Sequence, residues 1–314
     1  MRKLIIDTDT GSDDAVALLM AAMDRDVDIL GITTVSGNVP LAQGTRNALM
    51  TMEISGRAIA VHPGCAAPLC RQPVSAVSVH GQDGMGDAGL IHPAAVPDGQ
   101  GAVDFILSAV RSAPDIDIVM LGPATNIALA LLTDRQAMSR VHRIYSMGTA
   151  GLGRGNTTPV AEFNVFADAE AYRLLLESGI PLTVIGFDMC CGPAAWDQDD
   201  LSAIAASGPV GRFSVDCNRS LLAYNIRKSG RHIVDLPDAV AMSCALWPDT
   251  VKQSIDTYAW CSISQDRTYG QVIIYDPRDT LAVDNPVPGI NATVITSFDH
   301  VLYKQRLRRS LSAG

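Results

Sequence analysis

The chain predicts an α/β fold, a single open, mostly parallel twisted sheet with helices on both faces, and three observations point to it. Short runs rich in Val, Ile and Leu alternate with segments of helical periodicity, the pattern of successive βαβ units. Aromatic residues are few and Ala, Val, Ile and Leu dominate, which suits parallel strands buried on both faces. Polar clusters follow these runs, at the strand ends where open α/β sheets place ligands.

The first element is a strand over 3–6, and from Asp13 a helix follows with Ser12 as its expected N-cap and acids in its first turn. Between them stand Asp7, Asp9, Asp13 and Asp14, four carboxylates within eight residues. Crowded at one strand end they would repel one another. A hard cation with oxygen ligands, calcium or magnesium, is the simplest relief. One such acid alone would read as a helix cap; four at one turn read as a metal or substrate site.

Further strands are expected at 27–35, 58–61, 117–121, 143–147 and 182–187. Helices are expected at 41–54, 102–111, 125–132 and 167–177. The piece from His62 to Gly101 is long and irregular, and its Val79-His80-Gly81 segment, with more glycines after it, suits a functional loop or lid. Beyond Asp188 the pattern turns helical, at 197–206, 209–229 and 236–246, and two β-rich runs at 256–264 and 271–275 suit a hairpin. A last strand at 294–297 and a C-terminal helix complete a single domain over 1–314 with a helical C-terminal elaboration. The basic cluster Lys304 to Arg309 reads as a solvated helix face.

Composition narrows the function. The chain has 314 residues, 47% hydrophobic, with a net charge of −9. That excludes a disordered chain and offers no basic face for nucleic acid. Seven cysteines without metal-type spacing suit reduced thiols, and Cys190-Cys191 reads as packing. No signal peptide or membrane-length apolar stretch is visible, so a soluble, cytoplasmic protein is expected.

The strand ends collect a consistent polar set: the acidic cluster, Asn38, the segment around His80, Thr125-Asn126, the Asn156/Glu162/Asn164 group and Asp188. Asp238 opens a helical run and by itself would read as a cap. Asp7-Thr-Asp-Thr-Gly-Ser-Asp-Asp-Ala15 resembles the N-terminal signature of the inosine-uridine-preferring nucleoside hydrolases. Gly31 to Asn38 resembles the family's second strand and its ligand-binding asparagine, and Val79-His80-Gly81 its mobile active-site loop. Gly122-Pro-Ala-Thr125-Asn126, Asn156 to Asn164 and Leu236-Pro237-Asp238 resemble its remaining motifs, in the family's order.

The resemblance implies a nucleoside hydrolase fold with a Rossmann-like core, and a calcium-dependent hydrolase that cleaves ribonucleosides to ribose and free base. It implies calcium held by Asp9, Asp14, the Thr125 carbonyl and Asp238, with Asp9 also the base for a calcium-bound water. Asp13, Asn38, Asn156, Glu162 and Asn164 would grip the ribose, with His80 and the Met147 carbonyl as further substrate contacts. The C1′–N bond would break through an oxocarbenium-like state that the acidic pocket stabilises. A homodimer or homotetramer is implied as well.

The match breaks at Pro237, where the family carries a histidine that helps protonate the departing base. His232 is the first candidate to replace it, ahead of Tyr224, Arg227 and His80. The departure makes a catalytically impaired ribose- or nucleoside-binding protein a rival reading. A haloacid dehalogenase-type phosphotransferase is a weaker rival: Asp7-Thr8-Asp9 is similar to its nucleophile motif, but Asp13, Asp14 and Glu162 have no role there.

Overall fold

The computed structural model describes residues 1–275 and 289–312. Through them runs a sheet of β1 (Arg2–Thr8), β2 (Val27–Thr34), β3 (Val61–Pro63), β4 (Ile116–Met120), β5 (Arg143–Met147), β6 (Leu182–Ile185), β7 (Val251–Cys261), β8 (Val272–Tyr275) and β9 (Ala292–Phe298). Its order is β3-β2-β1-β4-β5-β6-β9-β7-β8. All pairings from β3 to β9 in that order are parallel, while β7 runs antiparallel to both β9 and β8. The chain lays β2 and β3 on one side of β1, then crosses to place β4 on the other. The carboxyl ends of β1 and β4 therefore flank the switch point, where such sheets open a ligand crevice.

Period-two alternation divides the apolar side chains between two cores. Leu4 and Ile6 of β1 and Val119 of β4 face one, with the Ser12–Met23, Leu41–Ser55, Pro237–Leu246 and His300–Leu311 helices. Ile5, Ile118 and Met120 face the other, with the Ala102–Ser112, Thr125–Thr133 and Ala169–Leu176 helices. At these buried positions β1 reads as a continuous apolar run because each face has its own core.

Several local expectations are corrected. Gly11, not Ser12, occupies the N-cap of the first helix, and the Gly11 N–H donates to Asp14 Oδ2 at 2.8 Å. Ser12 is freed for another partner. The expected helix at 209–229 is two helices, Pro209–Asp216 and Arg219–Ser229. Asn218 sits at the break, and its Nδ2 donates to the carbonyls of Ser214 and Ser12, competing with helix continuation. The third strand starts later than expected, at Val61. Lys304 and Arg308 are not merely solvated, since both pair with Asp200 at 2.7 and 2.9 Å. Among the described residues no helix is long and apolar enough to cross a membrane.

Candidate active site

The floor of the site is the turn that joins β1 to the first helix. Asp7, Asp9, Asp13 and Asp14 are all buried there, with Asp238 beside them at the start of the Pro237–Leu246 helix. Each is held differently. Asp7 Oδ1 accepts from Thr33 Oγ1 at 2.5 Å and from Asn126 Nδ2 at 2.8 Å, which ties β1, β2 and the Thr125–Thr133 helix together. Asp14 accepts from Thr8 Oγ1 at 2.5 Å and from Asn38 Nδ2 at 3.0 Å. Asp9 Oδ2 accepts the Asn38 N–H at 2.6 Å. Gly37 makes room for this contact, because a Cβ there would lie 2.1 Å from Asp9 Oδ2.

Burial with like charges close by drives these carboxyls upward. Burial pushes the pKa of Asp7 and of Asp13 up to about 6. Asp9 rises well above the carboxylate range through burial and then the charge of Asp14, and Asp238 rises well above it through burial and then the charge of Asp13. Asp9 Oδ1 and Asp13 Oδ1 are buried without a hydrogen-bond partner. Asp13, Asp14 and Asp238 each offer a carboxylate oxygen within 4.8 Å of the others. Buried acids that repel one another, with unpartnered oxygens among them, form a donor set that suits a hard divalent cation.

The place of each expected ligand can be stated. Asp14 and Asp238 belong to the close trio, and Asp13, expected only at the sugar, is its third member. Asp9 is not in the trio but is close enough to Asp14 for their charges to act on each other. Thr125 is buried, and its Oγ1 donates to Asp168 Oδ2 at 2.7 Å. That contact fixes the residue whose carbonyl the resemblance assigns to the metal.

Above the floor opens a cavity of about 460 Å³. Asp13, Asn38, His80, Met147, Asn156, Glu162, Asn164 and Asp238 all line it, so residues from six separate stretches of the chain converge on one space. His80 Nδ1 lies 2.9 Å from Ser12 Oγ and 3.6 Å from Asp13 Oδ1. Burial lowers the His80 pKa to about 4, so the ring is neutral near pH 7. Glu162 accepts the N–H groups of Asn164 and Val165 at 3.0 and 3.2 Å, yet burial still pushes its pKa up to about 7. Asn164 Nδ2 donates to the carbonyls of Leu121 and Met147 at 2.6 and 3.2 Å. The Met147 carbonyl, expected to touch substrate, is thus engaged by Asn164. Asn156 is exposed at the rim, and its Oδ1 accepts the Phe163 N–H at 2.8 Å.

His232, expected at the base end, does not reach the cavity. It is exposed and lies outside the cavity lining, although Arg231 and Ile233 on either side reach it. Its loop turns those neighbours inward and His232 outward. Pro237 lines the cavity, as do Leu221, Tyr224, Asn225 and Lys228 of the Arg219–Ser229 helix. Their spacing is that of one helix face, the signal that could have identified this wall from sequence. Asp235 was missed entirely: it lines the cavity, and its Oδ1 is buried without a partner. Cys190 packs in the core as expected, but Cys191 lines the cavity.

Known proteins are similar in sequence and in fold. The family profile described as inosine-uridine preferring nucleoside hydrolase matches residues 4–305. Uridine nucleosidase 1 of Arabidopsis thaliana is 36% identical over 250 residues, 79% of this chain and 74% of that protein. Pyrimidine-specific ribonucleoside hydrolase RihB of Escherichia coli (strain SE11) is 32% identical over 274 residues, 87% of each. A solved plant nucleoside hydrolase, PpNRh1, superposes with a TM-score of 0.93 at 27% identity, covering 100% of this chain and 99% of that one. Fold, motif order and matched length agree: the chain belongs to the inosine-uridine preferring nucleoside hydrolase family.

Proposed function

We propose that the protein is a calcium-dependent hydrolase that cleaves the N-glycosidic bond of ribonucleosides, releasing ribose and the free base. The observation that carries this reading is the convergence of Asp13, Asn38, Glu162, Asn164 and Asp238 on one cavity above a buried acid cluster. Asp9, Asp14, Asp238 and the Thr125 carbonyl would hold the cation, with Asp13 at the boundary between cation and sugar. When bound, calcium offsets the repulsion of the acids and makes a water easier to deprotonate. Asp9 would accept a proton from a water held there, a role that its buried, unpartnered Oδ1 supports.

Asp13, Asn38, Glu162, Asn164 and Asn156 bind the ribose hydroxyls, and each buried polar group left unmatched costs ~1–3 kcal/mol, which makes the site selective for ribose. The same carboxylates stabilise positive charge as the C1′–N bond breaks. His80, neutral and anchored by Ser12, closes the cavity over the sugar. Tyr224 and Lys228, which line the cavity together with Pro237, face the base in place of His232. Pyrimidine ribonucleosides, uridine first, are the substrates that the two named relatives support.

Residues 1–314 act as one catalytic domain, a reading supported by the single sheet running through both cores. A cytoplasmic homodimer or homotetramer without nucleic-acid or membrane partners completes the proposal. Seven unbridged cysteines support a reducing compartment.

The test is a panel of purine, pyrimidine and modified nucleosides assayed for reducing sugar with and without chelator. Chelator-sensitive ribose release is expected. Pro237 at the base end supports one rival, a nucleoside-binding protein of impaired turnover. Uridine binding without any released base, with calcium present, would establish that rival instead.

A further inference from the structure

With Gly11 at the cap of the first helix, the Ser12 hydroxyl is not used there. It reaches instead across 68 residues of chain, where Ser12 Oγ lies 2.9 Å from His80 Nδ1 and both residues are buried. No carboxylate competes for that nitrogen. Asp13 Oδ1 stands 3.6 Å from it, beyond hydrogen-bond distance.

The direction of this bond follows from its surroundings. A serine hydroxyl carries one proton, and when buried it needs an acceptor. Among the described residues the Ser12 hydroxyl bonds only to His80, so its proton goes to Nδ1. A neutral imidazole that accepts at Nδ1 carries its own proton on Nε2. The reverse bond, from Nδ1–H to Oγ, would leave the hydroxyl proton buried with nothing to receive it.

Other contacts hold the backbone on both sides. Asn218 Nδ2 donates to the Ser12 carbonyl at 3.1 Å. Asn47 Nδ2 donates to the carbonyls of Thr10 and Asp83, each at 2.9 Å, which ties the acid turn to the loop after His80. The Gly86 N–H donates to the His80 carbonyl at 2.9 Å, and Met85 is buried in the core. The Ser12–His80 bond is therefore not needed to hold these segments together. What it decides is the setting of the ring.

We propose that Ser12 is a positioning residue for His80: its hydroxyl fixes the imidazole so that Nε2–H, a hydrogen-bond donor, serves the cavity. The proposal rests on the reading of His80 as a substrate contact. Donors are scarce around it. Asn164 Nδ2 is spent on the carbonyls of Leu121 and Met147, and Asn38 Nδ2 donates to Asp14. Asp13, Glu162 and Asp238 line the cavity and, when ionised, only accept. A substrate hydroxyl that gives its proton to one of them keeps lone pairs that call for a donor. Nε2–H supplies it, whereas the other tautomer would set a lone pair against that oxygen.

The experiment has two readouts on the calcium-loaded protein near neutral pH. Proton–nitrogen correlation spectra of protein labelled with heavy nitrogen at histidine read the tautomer, the His80 signals being assigned by their loss in His80→Gln. The parent should show Nε2–H, Ser12→Ala should populate Nδ1–H, and Ser12→Thr, which keeps the hydroxyl, should restore Nε2–H. In steady-state kinetics on uridine, or on the best nucleoside of the panel, Ser12→Ala should raise KM about tenfold with kcat changed by less than about threefold. Ser12→Thr should return KM to within about twofold of the parent. His80→Gln should raise KM at least as much, and adding Ser12→Ala to it should change KM by less than about twofold. The proposal is overturned if the parent shows Nδ1–H or an imidazolium, if Ser12→Ala leaves tautomer and KM unmoved, or if the two effects multiply in the double variant. Unchanged KM in His80→Gln would instead overturn the underlying reading of His80. Should Ser12→Ala fail to melt cooperatively, Ser12→Cys, close in size and a poor donor, carries the same cycle.

Discussion

The backbone N–H of Asn38 donates to Asp9 Oδ2 at 2.6 Å, which fixes one oxygen of that carboxylate and leaves Oδ1 buried and unpartnered. One oxygen is anchored and the other is available, the arrangement a general base needs. Asp9→Ala should therefore lower ribose release by about a thousandfold or more, through loss of base and of cation field together. A reducing-sugar assay on any active nucleoside checks it, and retained turnover would exclude the assigned role.

Space around that contact is equally demanding. A Cβ on Gly37 would fall 2.1 Å from Asp9 Oδ2, the oxygen that the Asn38 N–H holds in place. Gly37→Ala should shift Asp9 and destabilise the fold by ~1–3 kcal/mol, as overpacking does. Calcium titration followed by thermal melting would show weaker binding; unchanged affinity would mean that the turn absorbs the methyl group.

Asp7 and Asp13 rise from 3.8 to about 6 and Glu162 from 4.5 to about 7, so in this range the folded state holds more protons than the unfolded chain. Stability of the metal-free protein should then fall as pH rises from ~4 to ~7. His80 acts in the opposite sense: lowered from 6.5 to about 4, it gives stability above 6.5 that is lost as pH falls toward 4. One histidine opposes several acids, so the downward slope with rising pH should win. Calcium needs the ionised carboxylates and should raise the melting temperature more at pH 7.5 than at pH 5. Melts of chelator-treated and calcium-loaded protein across pH measure both, and a pH-independent calcium effect would refute the cluster as its site.

The two base-end candidates separate cleanly. His232 is exposed and outside the cavity, so His232→Ala should leave kcat within about twofold of the parent. Tyr224 lines the cavity from the Arg219–Ser229 helix, and Tyr224→Phe should lower kcat by ~10–100-fold if its hydroxyl serves the departing base. Comparing both variants on uridine and inosine decides between them; a slow His232→Ala with an unchanged Tyr224→Phe would restore His232.

By itself the sequence determined the sheet and the identity of the floor. β1 was legible because its Leu4-Ile5-Ile6 centre is apolar on both faces, and the four acids were legible because they crowd into eight residues at its end. Asn38, Glu162, Asn164 and Asp238 were legible through motif resemblance, and the switch point between β1 and β4 explains why they meet. The tertiary structure alone decided which way side chains turn where no periodicity applies. Ser12 leaves the cap for His80, His232 points outward while Arg231 and Ile233 point in, and Asn218 breaks one expected helix into two. Those outcomes depend on partners as far as 206 residues away in the chain. Local propensity carries no information about such contacts, and so the strand-end acids and amides of the cavity could be named from sequence while Arg231, Ile233 and Asp235 could not.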